Sequence, residues 1–126
     1  MGVNTCHAIL LTRPDLYAHL RMAKEIGFRY VRFHNIFSDQ VGLVSVDDVG
    51  TLHFAFDTFD RIYDNVLQSG LIPFFELSLC PPALKSGDSV LTCYKANTSV
   101  PTSMEKWSEI VTAVAQHVVD RYGIDC

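Results

Sequence analysis

Hydrophobic positions recur along this chain with two periods, and the switches between them mark out its elements. Val3–Cys6 is a short apolar run ending in polar residues, which predicts a strand whose carboxyl end presents His7; a loop histidine without a role fits the same spacing. Thr12-Arg13-Pro14-Asp15 reads as a helix start: a capping hydroxyl, a proline in the first turn where its missing N–H costs nothing, and an acid facing the positive helix end. Leu16, Leu20 and Ala23 then recur at i, i+4 and i+7, Ile26 closes the stripe and Gly27 ends it. His19 belongs to the outer, polar side of this helix. Phe28–Phe33 predicts a second strand, with Val31 and Phe33 packed under helices while Tyr30, Arg32 and His34 share the opposite face.

Gln40–Phe56 is a long connection containing a hairpin, Gly42–Val46 and Thr51–Phe56 about an Asp47-Asp48-Val49-Gly50 turn. Phe59, Ile62, Tyr63, Val66 and Leu67 form the clearest helical stripe, with Asp57 or Thr58 as its cap and Gly70 as its stop. Leu71–Leu79 is nearly all apolar apart from Glu76 and Ser78, as expected of a strand buried on both faces, with Pro73 tolerated near its start. Pro81–Pro101 is a second long loop, whose Lys85, Tyr94, Lys95 and Asn97 serve either ligand hydroxyls or solvent. Thr102-Ser103-Met104-Glu105 is a capping box for a third helix with Trp107, Ile110, Val111, Val114 and Val118 inward and Gly123 at its end; Ile124–Cys126 begins another strand.

Strand and helix thus alternate, as in a parallel α/β architecture. Long polar loops follow the strands, while single glycines close the helices. A site is therefore expected at the carboxyl ends of the strands, where His7, Arg32, His34, Asn35, Glu76 and Ser78 converge.

Composition narrows the classes. With 126 residues, 48% of them apolar and 19% charged, the chain suits one soluble domain. A net charge of −4 without any Lys/Arg run argues against nucleic-acid binding by this segment. No apolar stretch is long enough for a membrane span, no signal-peptide pattern opens the chain, and a cytoplasmic location is expected. Cys6, Cys80, Cys93 and Cys126 are scattered without zinc-ligand spacing, so reduced thiols and no metal are expected, with a Cys6–Cys80 contact left open.

Glu76 carries the sharpest chemical signal. A carboxylate within an apolar strand is costly unless paired, and Arg32 or a histidine is the available partner. It reads either as a substrate-binding acid or as half of an Arg–Glu pair fixing the strand ends, and the two roles are compatible. No second acid sits at a comparable strand end, and no Ser/His/Asp set, G-x-G-x-x-G or P-loop occurs; no cofactor is expected.

Several motifs in register carry a family resemblance. Gly27-Phe28-Arg29-Tyr30-Val31-Arg32-Phe33-His34 with Phe37-Ser38-Asp39, Phe56 with Asp60-Arg61-Ile62-Tyr63-Asp64, Gly70–Ser78, Lys95 with Asn97, Glu105-Lys106-Trp107 and Arg121-Tyr122-Gly123-Ile124 resemble glycoside hydrolase family 39, the β-xylosidase and α-L-iduronidase family. The resemblance spans nearly the whole chain. It implies a (β/α)₈ TIM barrel, which needs about 250 residues, so residues 1–126 are expected to form a single fragment of it: about the first three βα units, with a β-hairpin inserted after the second strand.

In the family the general acid/base glutamate lies in an Asn-Glu-Pro motif after the fourth strand, and the nucleophile several strands later. Both positions fall beyond Cys126, so this chain alone is expected to be inactive and to hold no catalytic residue. What the resemblance leaves here is substrate binding, of a xylose-like sugar or xyloside, by His34 first, then His7, Arg32, Glu76 and Asn35. Asn35 and Ala96 stand where xylosidase-like members usually have glycine, Ala55 where they have asparagine, and Thr92-Cys93-Tyr94 replaces a more aromatic run, which thins any stacking platform. Gly2–His7 is also similar to the start of the sugar-sensing barrel of AraC-type transcriptional regulators, the alternative function class. Three βα units leave a barrel edge at each end, so self-association through those edges is expected.

Overall fold

The computed structural model describes residues 1–91 and 96–123. Its centre is a parallel sheet of three strands in the order β1 (Gly2–His7), β2 (Tyr30–His34) and β5 (Ile72–Phe75). α1 (Pro14–Glu25) connects β1 to β2, and α2 (Asp57–Gln68) precedes β5. β3 (Val44–Val46) and β4 (Leu52–Phe54) form the expected antiparallel hairpin between β2 and α2. A second small hairpin, β6 (Val90–Leu91) with β7 (Ala96–Asn97), lies in the loop before α3 (Met104–Tyr122). The Pro, Gly and Ser content of that loop conceals it, because two-residue strands leave no period to detect. Tyr94, Lys95, Cys93 and the strand beginning at Ile124 lie outside the described residues.

One face of the sheet is sealed and the other open. Val31 and Phe33 are fully buried, in one cluster with Leu11, Leu20, Ile62, Val66, Ile110 and Val114. Tyr30 and Arg32 alternate to the opposite face, where with Gly2, Asn4 and Phe74 they line a shallow apolar concavity of about 400 Å³. Phe74 is 60% exposed there, so β5 is not buried on both faces as its composition suggested. Among the described residues the three helices contribute their buried side chains to one cluster only, and nothing covers the concave side. Ile26 does not close the buried stripe of α1: the helix ends at Glu25, and Ile26 is exposed at its C-cap.

The termini of the helices differ from the sequence expectation by a residue or two. Thr12 does not cap α1; its hydroxyl donates to the Ile9 carbonyl, 2.8 Å, closing a 3₁₀ turn, and Arg13 stands at the cap position. Phe56, not Asp57 or Thr58, precedes α2, and no side chain caps it. At α3 the capping oxygen is that of Ser103, which accepts from the Lys106 N–H at 3.2 Å; residue 106 is basic, so the reciprocal half of a capping box is missing.

Two motifs carried by the family resemblance meet between α2 and α3. His117 Nε2 lies 2.6 Å from Asp60 Oδ1, and Arg121 donates to Asp64 at 3.1 Å. The Tyr122 ring stacks on Tyr63 at 4.3 Å, and His117 on Phe56 at 3.7 Å. The acidic face of α2 and the basic end of α3 therefore dock these helices against each other. Lys106 ties the β3–β4 turn to the same assembly by donating to the Gly50 carbonyl.

Within that turn Asp47 accepts from the backbone N–H groups of Val49 and Thr51, at 3.1 and 2.8 Å, and faces His53 at 3.0 Å. The His53 bond first, then the Thr51 bond, holds its carboxyl down to about 2. A depressed folded-state value stabilises the hairpin above the unfolded value of about 4 and is lost as pH falls through about 2. Carboxyl NMR should show Asp47 titrating near pH 2, with β3–β4 contacts loosening in the same step. A midpoint at the ordinary value would contradict this geometry.

Candidate functional site

The parallel register brings the ends of the three strands level: His7 pairs with His34, and Phe33 with Phe75. β1 reaches this register only through an irregularity between Asn4 and Cys6. There Asn4 Oδ1 accepts the Cys6 N–H at 3.0 Å, and Cys6 takes a φ of 68°. An extra residue of this kind twists the strand and re-aims the side chains after it. The residue re-aimed here is His7, whose ring meets that of His34 edge-on at a centroid distance of 6.3 Å.

Asn35 at the end of β2 has a φ of 62°. Asparagine is among the few side chains that adopt the left-handed region readily. Its Nδ2 donates to His7 Nε2 at 2.6 Å. Both side chains are buried, at 3% and 5% exposure. Burial, and then the neighbouring His34, push His7 below its ordinary value, so the ring is neutral at pH 7.

Arg32 and Glu76 form the ion pair that the isolated carboxylate called for, and the Ser78 hydroxyl donates to the other Glu76 oxygen at 3.2 Å. Glu76 lies one residue past β5, although its N–H still continues the ladder to the Phe33 carbonyl at 2.9 Å. The Arg32 side chain is 48% exposed and that of Glu76 27%. The pair is therefore at the mouth of the sheet rather than within an apolar strand, and contributes at most about 1 kcal/mol to stability.

Arg32, His34, Glu76, Ser78, Leu79 and Leu91 line an open concavity of about 230 Å³. Cys6 Sγ stands 4.0 Å from His34 Nε2 at its edge. Of the residues expected to form a site, Arg32, His34 and Glu76 thus line one space, while His7 and Asn35 stand buried together behind it. Leu91 and Cys6 carry no signal in the sequence, because a two-residue strand and a bulge place them. Lys85 is paired with Asp88 at 2.7 Å, and Asn97 is consumed within its own loop, donating to the Gly87 carbonyl at 2.6 Å. Cys6 and Cys80 are free thiols, and no cluster of metal ligands occurs among the described residues. A guanidinium, an imidazole, a carboxylate and a hydroxyl around one small hollow suit the alternating donors and acceptors of a polyhydroxy ligand.

The description of glycosyl hydrolases family 39 matches residues 1–126. The chain belongs to this family. A beta-xylosidase from Caldicellulosiruptor saccharolyticus is 38% identical over 122 residues, covering 96% of this chain and 25% of the relative. One from Geobacillus stearothermophilus is 36% identical over 127 residues, 98% and 25%. The solved GH39 enzyme from Xanthomonas axonopodis pv. citri superposes with a TM-score of 0.92 at 37% identity, over 99% of this chain and 24% of that one. A monomeric beta-xylosidase from Caulobacter crescentus CB15 gives 0.91 at 36% identity, over 99% and 25%. This family-39 chain spans about a quarter of the length of the relatives it matches. No described helix is long and apolar enough to cross a membrane.

Proposed function

We propose that this chain is the N-terminal arc of a (β/α)₈ barrel from a β-xylosidase-like retaining glycosidase, and that it supplies sugar contacts without the cleaving groups. The observation that carries the proposal is the convergence of His34, Arg32 and Glu76 on one hollow at the carboxyl ends of parallel strands, where barrel enzymes bind substrate. The open concave face with Tyr30 and Phe74 fits the same proposal, since a closed barrel fills that space with side chains from the remaining strands. In the sugar site His34 and Arg32 donate to ring hydroxyls and Glu76 accepts from one, with His7 and Asn35 supporting His34 from behind.

Cleavage needs more. A retaining glycosidase sets two carboxyl groups about 5 Å apart across the scissile bond. Among the described residues Glu76 is the one carboxylate lining the hollow, and it is engaged by Arg32. The purified chain should therefore give no turnover of a chromogenic β-xyloside, yet bind xylose in a calorimetric titration. His34→Ala should weaken that binding about tenfold, the equivalent of about 1.4 kcal/mol for one lost hydrogen bond in a partly closed site. Turnover by the chain, or equal affinity in the two proteins, would overturn the proposal.

A further inference from the structure

We infer that Asn35 is a positioning residue that fixes the tautomer of His7, holding the ring proton on Nδ1. The inference starts from the 2.6 Å contact between Asn35 Nδ2 and His7 Nε2. An amide nitrogen only donates, so the ring nitrogen opposite it must carry a lone pair, and in a neutral imidazole the proton then sits on the other nitrogen. Burial keeps the ring neutral, which agrees with this arrangement.

The backbone is shaped around that contact. Cys6 and Asn35 are the non-glycine residues with positive φ among the described ones, at 68° and 62°. One immediately precedes His7, and the other is its partner. Along an extended β2 the side chain of residue 35 would alternate to the face opposite His34, toward the helices. The left-handed turn breaks that alternation and lays the amide against β1. A left-handed residue at a strand end departs from the extended backbone and persists only where its surroundings hold it. Two of them at neighbouring strand ends, one immediately before His7 and the other bonded to it, point to a placement that serves the site rather than the sheet.

The importance of this bond for ligand recognition rests on the sugar-site proposal above, but the tautomer itself is measurable without sugar. Imidazole ¹⁵N spectra of histidine-labelled protein near pH 8 should show His7 with a bare Nε2 and a protonated Nδ1. Asn35→Asp keeps the size and the tolerance for positive φ but replaces the donor by an acceptor, and should move the Nε2 signal to the protonated position. Asn35→Gly keeps the backbone and removes the amide, and should lower the share of the Nδ1-protonated form. A wild-type ring protonated on Nε2, or one tautomer unchanged across all three proteins, would overturn the inference. A purely packing role would change melting temperature without moving these signals. If one variant does not fold, the wild-type spectrum and the other variant still decide. Loss of xylose binding by wild type would refute the sugar site while leaving the tautomer assignment to stand or fall by its own spectra.

Discussion

Replacing Phe59 by alanine is expected to destabilise the protein by about 3–5 kcal/mol. Phe59 is fully buried, near the start of α2, and its ring is the junction of the aromatic core. It meets Phe75 of β5 edge-on at 5.5 Å, Tyr63 at 5.7 Å, and Phe56 and His117 at 6.3 Å. Sheet, α2 and α3 therefore all lose contact when the ring is removed. A fully buried aromatic truncation combines lost transfer energy with an unfilled cavity, and rings from three elements cannot collapse into it together. Domains of this size have only about 5–15 kcal/mol in total, so the variant should be largely unfolded in mild urea. Urea unfolding followed by circular dichroism measures this; a midpoint shift worth under about 1 kcal/mol would mean that Phe59 is not the junction.

Asn35→Val should be nearly as damaging, at about 3 kcal/mol, though the residue is small and lies at a strand end. Three costs coincide. A β-branched side chain is strained at a φ of 62°, by about 1–3 kcal/mol. Valine also deprives the buried His7 Nε2 of the Asn35 donor, and an unmet buried acceptor costs about 1–3 kcal/mol. It inserts branched apolar volume beside a residue that is only 5% exposed. Asn35→Gly, which fits the backbone and shares only the lost donor, should cost about 1 kcal/mol, clearly less than Val. Thermal unfolding of the two variants side by side separates these terms. Equal melting temperatures for Val and Gly would show that the left-handed conformation is not required.

The stripe of α2 and the alternation of β2 are legible in the sequence because each side chain faces one environment. Phe59, Ile62, Tyr63 and Val66 are buried at the helical period that predicts them, and Val31 and Phe33 at the strand period. The Arg32–Glu76 pair follows from the cost of an unpaired carboxylate. β5 departs from expectation because a run of apolar residues does not say whether both faces of a strand are covered, and Phe74 faces an open concavity. The junction of His7 with Asn35 is illegible in a different way. Both are expected near the site, but their contact depends on a strand irregularity at Cys6 and a left-handed residue after β2, and neither has a local pattern. Cap positions slip because several hydroxyl and acid residues cluster at each helix start, and tertiary contacts choose among them. The motifs at Asp60–Asp64 and Arg121-Tyr122 carry the family resemblance, and in the structure they hold α2 to α3.

The claim that this arc binds sugar at the strand ends is tested most directly by histidine-ring NMR during a xylose titration. The five histidines report from separate places: His34 from the hollow, His7 from behind it, His19 from α1, His53 from the β3–β4 hairpin and His117 from the α2–α3 junction. Saturable shifts at His34, smaller ones at His7 and none at the other three are the predicted result. An unmoved His34, or shifts centred on His53 or His117, would contradict it.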